Sequence, residues 1–138
     1  MNSKINSIML VDDNPHDNFF HERIISQYNP AIKVLKMESA MDALEYLNTH
    51  SEKPLLEPDI IFLDINMPYM NGWEFVEEYK KMDGHLKNRF VIVMLSTSEY
   101  PSEREMAAHK AVIANYVTKP LTLEALEDID ARFFGRSL

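Results

Sequence analysis

Five short apolar runs alternate with stretches of helical period along this chain, and that alternation leaves few folds open. The runs are Ile8-Met9-Leu10-Val11, Ile32-Lys33-Val34-Leu35, Ile60-Ile61-Phe62-Leu63, Phe90-Val91-Ile92-Val93-Met94-Leu95 and Ile113-Ala114-Asn115-Tyr116-Val117. The first, third and fourth are nearly continuous in apolar character, as parallel strands covered by helices on both faces require. The second and fifth carry polar residues and read as edges. A parallel neighbour needs a crossover connection of fixed hand. The pattern therefore predicts an α/β fold: a doubly wound, five-stranded parallel sheet with helices on both faces.

The helices have readable starts. Asn14-Pro15-His16-Asp17 offers an N-cap, a proline at the first helical position and an acid in the first turn. Phe20, Ile24 and Tyr28 then recur every fourth residue and predict the buried face of that helix. Ser39-Ala40-Met41-Asp42 resembles a capping box with Asp in place of Glu, followed by the stripe Ala40, Ala43, Leu44 and Leu47. Asn71 is a cap for a third helix burying Phe75, Val76 and Tyr79. Ser102-Glu103-Arg104-Glu105 matches the capping-box pattern, and Thr122 starts a last helix burying Leu126, Ile129 and Phe133. The long connections, Thr49 to Pro58 and Met82 to Arg89, read as surface loops.

A chain of 138 residues fits one domain, expected to span 1–138. The formal net charge of −8, with basic residues scattered along the chain, gives no footprint for direct nucleic-acid binding. Without cysteine, disulfides, thiolate metal sites and cysteine nucleophiles are excluded. The start, Met1-Asn2-Ser3-Lys4-Ile5-Asn6, lacks the pattern of a signal peptide, and no apolar run approaches a membrane helix, so no membrane contact and a cytoplasmic location are expected.

In an open parallel sheet, ligands bind beyond the carboxyl ends of the strands. Asp12 and Asp13 end the first predicted strand, Asp64 the third, Ser96 and Thr97 the fourth, and Thr118-Lys119-Pro120 the fifth. An Asp after a strand is by itself usually a cap or a turn residue. Joint occurrence at several strand ends is more informative, because clustered carboxylates repel unless a cation sits among them. An all-oxygen cluster suits Mg²⁺ better than zinc. A metal and a lysine together would neutralise phosphoryl oxygens, leaving a central carboxylate to attack phosphorus.

The order Val11-Asp12-Asp13, then Leu63-Asp64-Ile65-Asn66-Met67-Pro68-Tyr69-Met70-Asn71-Gly72, then Leu95-Ser96-Thr97, then Tyr116-Val117-Thr118-Lys119-Pro120 resembles the receiver domain of two-component response regulators, the CheY-like family. The resemblance covers nearly the whole chain and implies a flavodoxin-like sheet of strand order 2-1-3-4-5. It implies that Asp64 accepts a phosphoryl group from a sensor histidine kinase or a histidine phosphotransfer protein. Mg²⁺, with Mn²⁺ as a substitute, would be held by Asp13 directly, by Asp12 largely through water, by Asp64 and by the backbone carbonyl of Asn66. Lys119 would contact a phosphoryl oxygen. The Ser96 hydroxyl would move to bond the phosphoryl group, and Tyr116 would be the switch aromatic that turns inward as the Ser96 loop moves. Pro120 stands where the family often has a cis peptide bond.

Other residues read as structural. Gly72 and Pro68 are loop geometry, and Glu77, Glu78, Lys80 and Lys81 form a solvated helix face. The nine methionines fall mostly at core-like positions. His16, His21, His50, His85 and His109 show no metal spacing and are expected at the surface. Trp73 is read either as partly exposed packing or as a partner contact.

Two departures from the family pattern stand out. Asp64 lies 51 residues after Asp13, with the excess placed between Thr49 and Pro58. Family members often carry Gly-Ala four residues before the switch aromatic, where this chain has Val112-Ile113, so the output face is not carried over. Phe133-Phe134-Gly135-Arg136-Ser137-Leu138 leaves no room for a linker and effector domain, which implies a stand-alone, non-enzymatic module, monomeric or dimerising on phosphorylation. Three other readings stay open. An intermediate phosphorelay carrier would share the chemistry at Asp64, and a constitutive binding module would keep a vestigial pocket. A phosphohydrolase of haloacid-dehalogenase type is disfavoured, because it needs an acid two residues after its nucleophile and Asn66 stands there.

Overall fold

The apolar runs form one sheet, and its register explains why they are apolar. The computed structural model describes residues 5–49, 58–82, 90–97 and 112–135. In chain order the elements are β1 (Ser7–Val11), α1 (Pro15–Tyr28), β2 (Lys33–Met37), α2 (Ala40–Thr49), β3 (Ile60–Asp64), α3 (Gly72–Lys80), β4 (Val91–Ser96), β5 (Ile113–Thr118) and α4 (Leu123–Phe134). All pairings are parallel, and the strand order is β2-β1-β3-β4-β5. The α/β expectation and the 2-1-3-4-5 order both hold. The helix expected after Ser102, the loop stretches 50–57 and 83–89, Lys110-Ala111, and His50, His85 and His109 lie outside the described residues.

Alternate residues of each central strand face opposite helical layers. Met9, Val11, Ile61, Leu63, Ile92 and Met94 pack with Ala40, Ala43, Leu47, Phe75, Val76 and Tyr79 of α2 and α3. Ile8, Leu10, Ile60, Phe62, Val93 and Leu95 pack with Ile25, Leu126 and Ile129 of α1 and α4. β1 and β3 are buried at every position because both faces are covered. The outer strands differ: β2 exposes Lys33 and Lys36, and β5 is half-buried for most of its length. The β4–β5 register shifts between Ile92 and Val93, and there the Asn115 side chain accepts a hydrogen bond from the Tyr116 amide at 2.9 Å.

The helix starts match their sequence signatures. The Asn14 side chain accepts from the amides of His16 and Asp17, Ser39 from Asp42, and Thr122 from Ala125. At α3, Asn71 and Glu74 form a reciprocal capping box, each side chain accepting from the other's backbone amide. α4 ends at Gly135, whose φ of 60° is left-handed.

The buried face of α1 corrects the sequence reading. Asn18, His21 and Ile25 point inward, while Phe20 is 46% exposed and Ile24 and Tyr28 only flank the core. His21 is 2% exposed, not a surface residue. Among the other described side chains, Met41 is an exposed exception to the core placement of the methionines.

Asn71→Ala removes the acceptor of the α3 capping box. It is expected to cost about 1 kcal/mol, seen as a lower urea midpoint with an unchanged slope.

Candidate functional site

Strand register alone brings the acids together. Val11 pairs with Leu63, Asp64 with Leu95, and Ser96 with Thr118, so Asp12, Asp13, Asp64, Ser96 and Lys119 share the carboxyl edge of the sheet. Carboxylate oxygens of Asp12, Asp13 and Asp64 all lie within 4.8 Å of one another. Asp12 and Asp64 are buried, at 4% and 6% exposure, and Asp13 faces solvent.

Local backbone bonds fix each group. The Asp12 amide donates to the Met37 carbonyl at 3.0 Å, tying the acid to the end of β2. Its Oδ1 accepts from the Asn14 amide, and its carbonyl accepts from Asn18 Nδ2, both at 3.0 Å. The Lys119 amide donates to the Ser96 carbonyl at 2.8 Å, and a cis Lys119-Pro120 bond follows. Lys119 Nζ then reaches three acids: Asp12 Oδ2 at 2.7 Å, Asp17 Oδ2 at 2.9 Å and Asp64 Oδ1 at 3.4 Å.

The loop after Asp64 is shaped by two tight features. Met70 donates to the Pro68 carbonyl at 2.7 Å around Tyr69, whose φ of 68° marks a rare, strained γ-turn. Gly72 donates to the Ile65 carbonyl at 2.8 Å, and a Cβ on Gly72 would lie 2.8 Å from the Asp64 carbonyl oxygen. Glycine is thus what lets α3 begin directly beneath the end of β3.

Charge at the site is unbalanced. Burial, then the neighbouring Asp12 charge, raises the Asp64 carboxyl to about 6, with Lys119 opposing only in part and Asp13 adding to the rise. Burial pulls the Lys119 ammonium down, but hydrogen bonds to Asp12 and Asp17 and the charges of Asp64 and Asp12 outweigh it and hold the group above the ordinary lysine value. Burial and the nearby Lys119 charge lower His21, partly offset by Asp17 and Asp12. A cluster of three carboxylates with an excess of negative charge and only oxygen donors fits a hard divalent cation.

The sequence matches the response regulator receiver domain over residues 8–129. The chain belongs to that family. It is 30% identical over 119 residues to the two-component response regulator ORR1 of Oryza sativa subsp. japonica, and the match covers 85% of this chain and 50% of that protein. The receiver therefore spans about half the length of this curated relative. Among solved structures, a two-component response regulator from Cytophaga hutchinsonii is 32% identical with a TM-score of 0.84, covering 96% of this chain and 99% of that one. The phosphorylated cyanobacterial phytochrome response regulator RcpA is 30% identical with a TM-score of 0.69, covering 91% and 88%.

The sequence reading of this receiver placed Asp12, Asp13, Asp64, Ser96 and Lys119 together, and the structure does the same. Ser96 is buried, its carbonyl bonded to Lys119. Asn66, two residues past Asp64, is exposed. Tyr116 is half-buried, its ring centroid 6.1 Å from that of Trp73, so Trp73 packs against the expected switch residue. Sequence reasoning missed Asp17, read only as a first-turn acid, and Asn18 and His21. The available signal was proximity: a helix starting so soon after Asp13 puts its first turn at the rim of the site. Among the described residues, no helix is long and apolar enough to cross a membrane.

Gly72→Ala is expected to lose about 1–3 kcal/mol by overpacking against the end of β3, measured by denaturant titration. A raised carboxyl favours folding while protonated, so in EDTA the stability should fall as pH rises from about 4 to about 6. Asp64→Asn should flatten that fall and leave the variant the more stable at pH 7 by about 1–3 kcal/mol, read by urea titrations across that range.

Proposed function

We propose that this receiver takes a phosphoryl group onto Asp64 from a phosphohistidine of a sensor histidine kinase or a histidine phosphotransfer protein, in an Mg²⁺-dependent reaction that switches its protein contacts. The observation that carries the reading is the buried Asp64 carboxylate, 3.4 Å from Lys119 Nζ and clustered with Asp12 and Asp13. The phosphorylated state of the similar response regulator RcpA supports it.

Asp12, Asp13, Asp64 and the Asn66 backbone carbonyl are the groups that would hold Mg²⁺, with Mn²⁺ as a substitute. The bound metal would supply positive charge against the transferring phosphoryl oxygens. An Asp64 carboxylate oxygen attacks phosphorus, the O–P bond forms as the donor's P–N bond breaks, and the departing electron pair stays on the imidazole nitrogen. Lys119 neutralises one phosphoryl oxygen. The Ser96 hydroxyl donates to another, and movement of its loop would shift the packing of Tyr116 on Trp73, which changes affinity for a downstream protein. The chain acts as a signalling module that promotes only its own phosphorylation and dephosphorylation. Asn66 has no proton to give a leaving group, which weighs against turnover of phosphate esters.

Incubation with acetyl phosphate tests the reading through the intact mass. One added phosphoryl group is expected in the wild type with Mg²⁺. EDTA or Asp64→Asn should abolish it, and Lys119→Met should slow it by about 10²-fold.

A further inference from the structure

Lys119 is shared unequally. Its ammonium sits 2.7 Å from Asp12 and 2.9 Å from Asp17, but 3.4 Å from Asp64. Asp17 occupies the first turn of α1, where the Asn14 cap binds its amide, so its backbone is fixed relative to the pocket. Its side chain is 37% exposed, whereas that of Lys119 is 11% exposed. A lysine has three N–H donors, and here two of them are taken on the α1 side of the pocket. An Asp12 drawn into metal binding would leave Asp17 as the remaining hydrogen-bonded anchor on that side.

We propose that Asp17 is a positioning residue that holds the Lys119 ammonium on the α1 side of the pocket, away from Asp64, and so restrains its delivery to a phosphoryl group. The inference rests on Asp64 being the phosphoacceptor. Asp17 acts through the lysine, its ion-pair partner. Moving the ammonium toward Asp64 requires weakening an ion pair whose acid is 37% exposed, a modest barrier, so the effect is a tuning of rate and not an on-off control.

The test is the initial rate of phosphorylation against acetyl phosphate concentration, at fixed Mg²⁺, for wild type, Asp17→Asn, Asp17→Glu, Lys119→Met and the Asp17→Asn/Lys119→Met double variant. Asp17→Asn should raise the saturating rate roughly threefold to fivefold, the size expected for releasing one partly exposed ion pair. Asp17→Glu, which keeps the charge, should return the rate toward wild type. In the Lys119→Met background the Asp17→Asn change should have no effect, because the restraint acts through the lysine. An equal or slower rate in Asp17→Asn overturns the inference. So does an acceleration that persists without Lys119, since that would be a general field effect on the anionic donor. If wild type takes up no phosphoryl group from acetyl phosphate, from phosphoramidate or from a phosphorylated histidine phosphotransfer protein, the reading of Asp64 fails and this inference falls with it. Uptake by wild type with unchanged rates in Asp17→Asn defeats the inference alone.

Discussion

Parallel pairing forces the carboxyl ends of all five strands to one edge, and in this receiver that edge is loaded with acid. The resulting repulsion is the constraint the local structure answers. Asp12 and Asp64 are both nearly buried within a few ångströms of Asp13, and the only relief among their described ion pairs is the Lys119 ammonium. That lysine can reach them because its backbone amide is pinned to the Ser96 carbonyl, at the end of the neighbouring strand. The pocket therefore concentrates negative charge, with the Asp64 carboxyl raised to about 6 and the Lys119 ammonium divided among three acids. Such an arrangement gains stability from any added positive charge.

The two helical layers contribute differently to the edge. The α1 layer supplies polar contacts: Asn14 and Asn18 bind Asp12, and Asp17 binds Lys119. The opposite layer supplies close packing. Gly72 brings the start of α3 against the Asp64 backbone, and Trp73, the next residue, rests on Tyr116 of β5. Displacement of the Asp64 backbone would press on α3 first. Displacement of Lys119 would be felt first by α1.

The central strands were legible because burial on both faces leaves no polar position to confuse the pattern, and the acids at their ends were legible because register is fixed by that same burial. The α1 helix was misread for a related reason. Its apolar residues Phe20, Ile24 and Tyr28 form a regular stripe, yet the buried stripe is Asn18, His21 and Ile25. Polar groups win the inner face there because Asn18 serves the Asp12 carbonyl. A hydrophobic period cannot see that requirement. Asp17 was missed because a first-turn acid already has a sufficient explanation in the helix dipole, and its partner lies 102 residues away in sequence.

The edges of the sheet have their own consequence. On one side β2 presents Lys33 and Lys36 to solvent, and on the other β5 breaks register and lets Asn115 occupy its neighbour's amide. Charged side chains and irregular backbone both discourage a further strand from adding. Both flanks of the sheet are therefore poor templates for strand addition by a second copy.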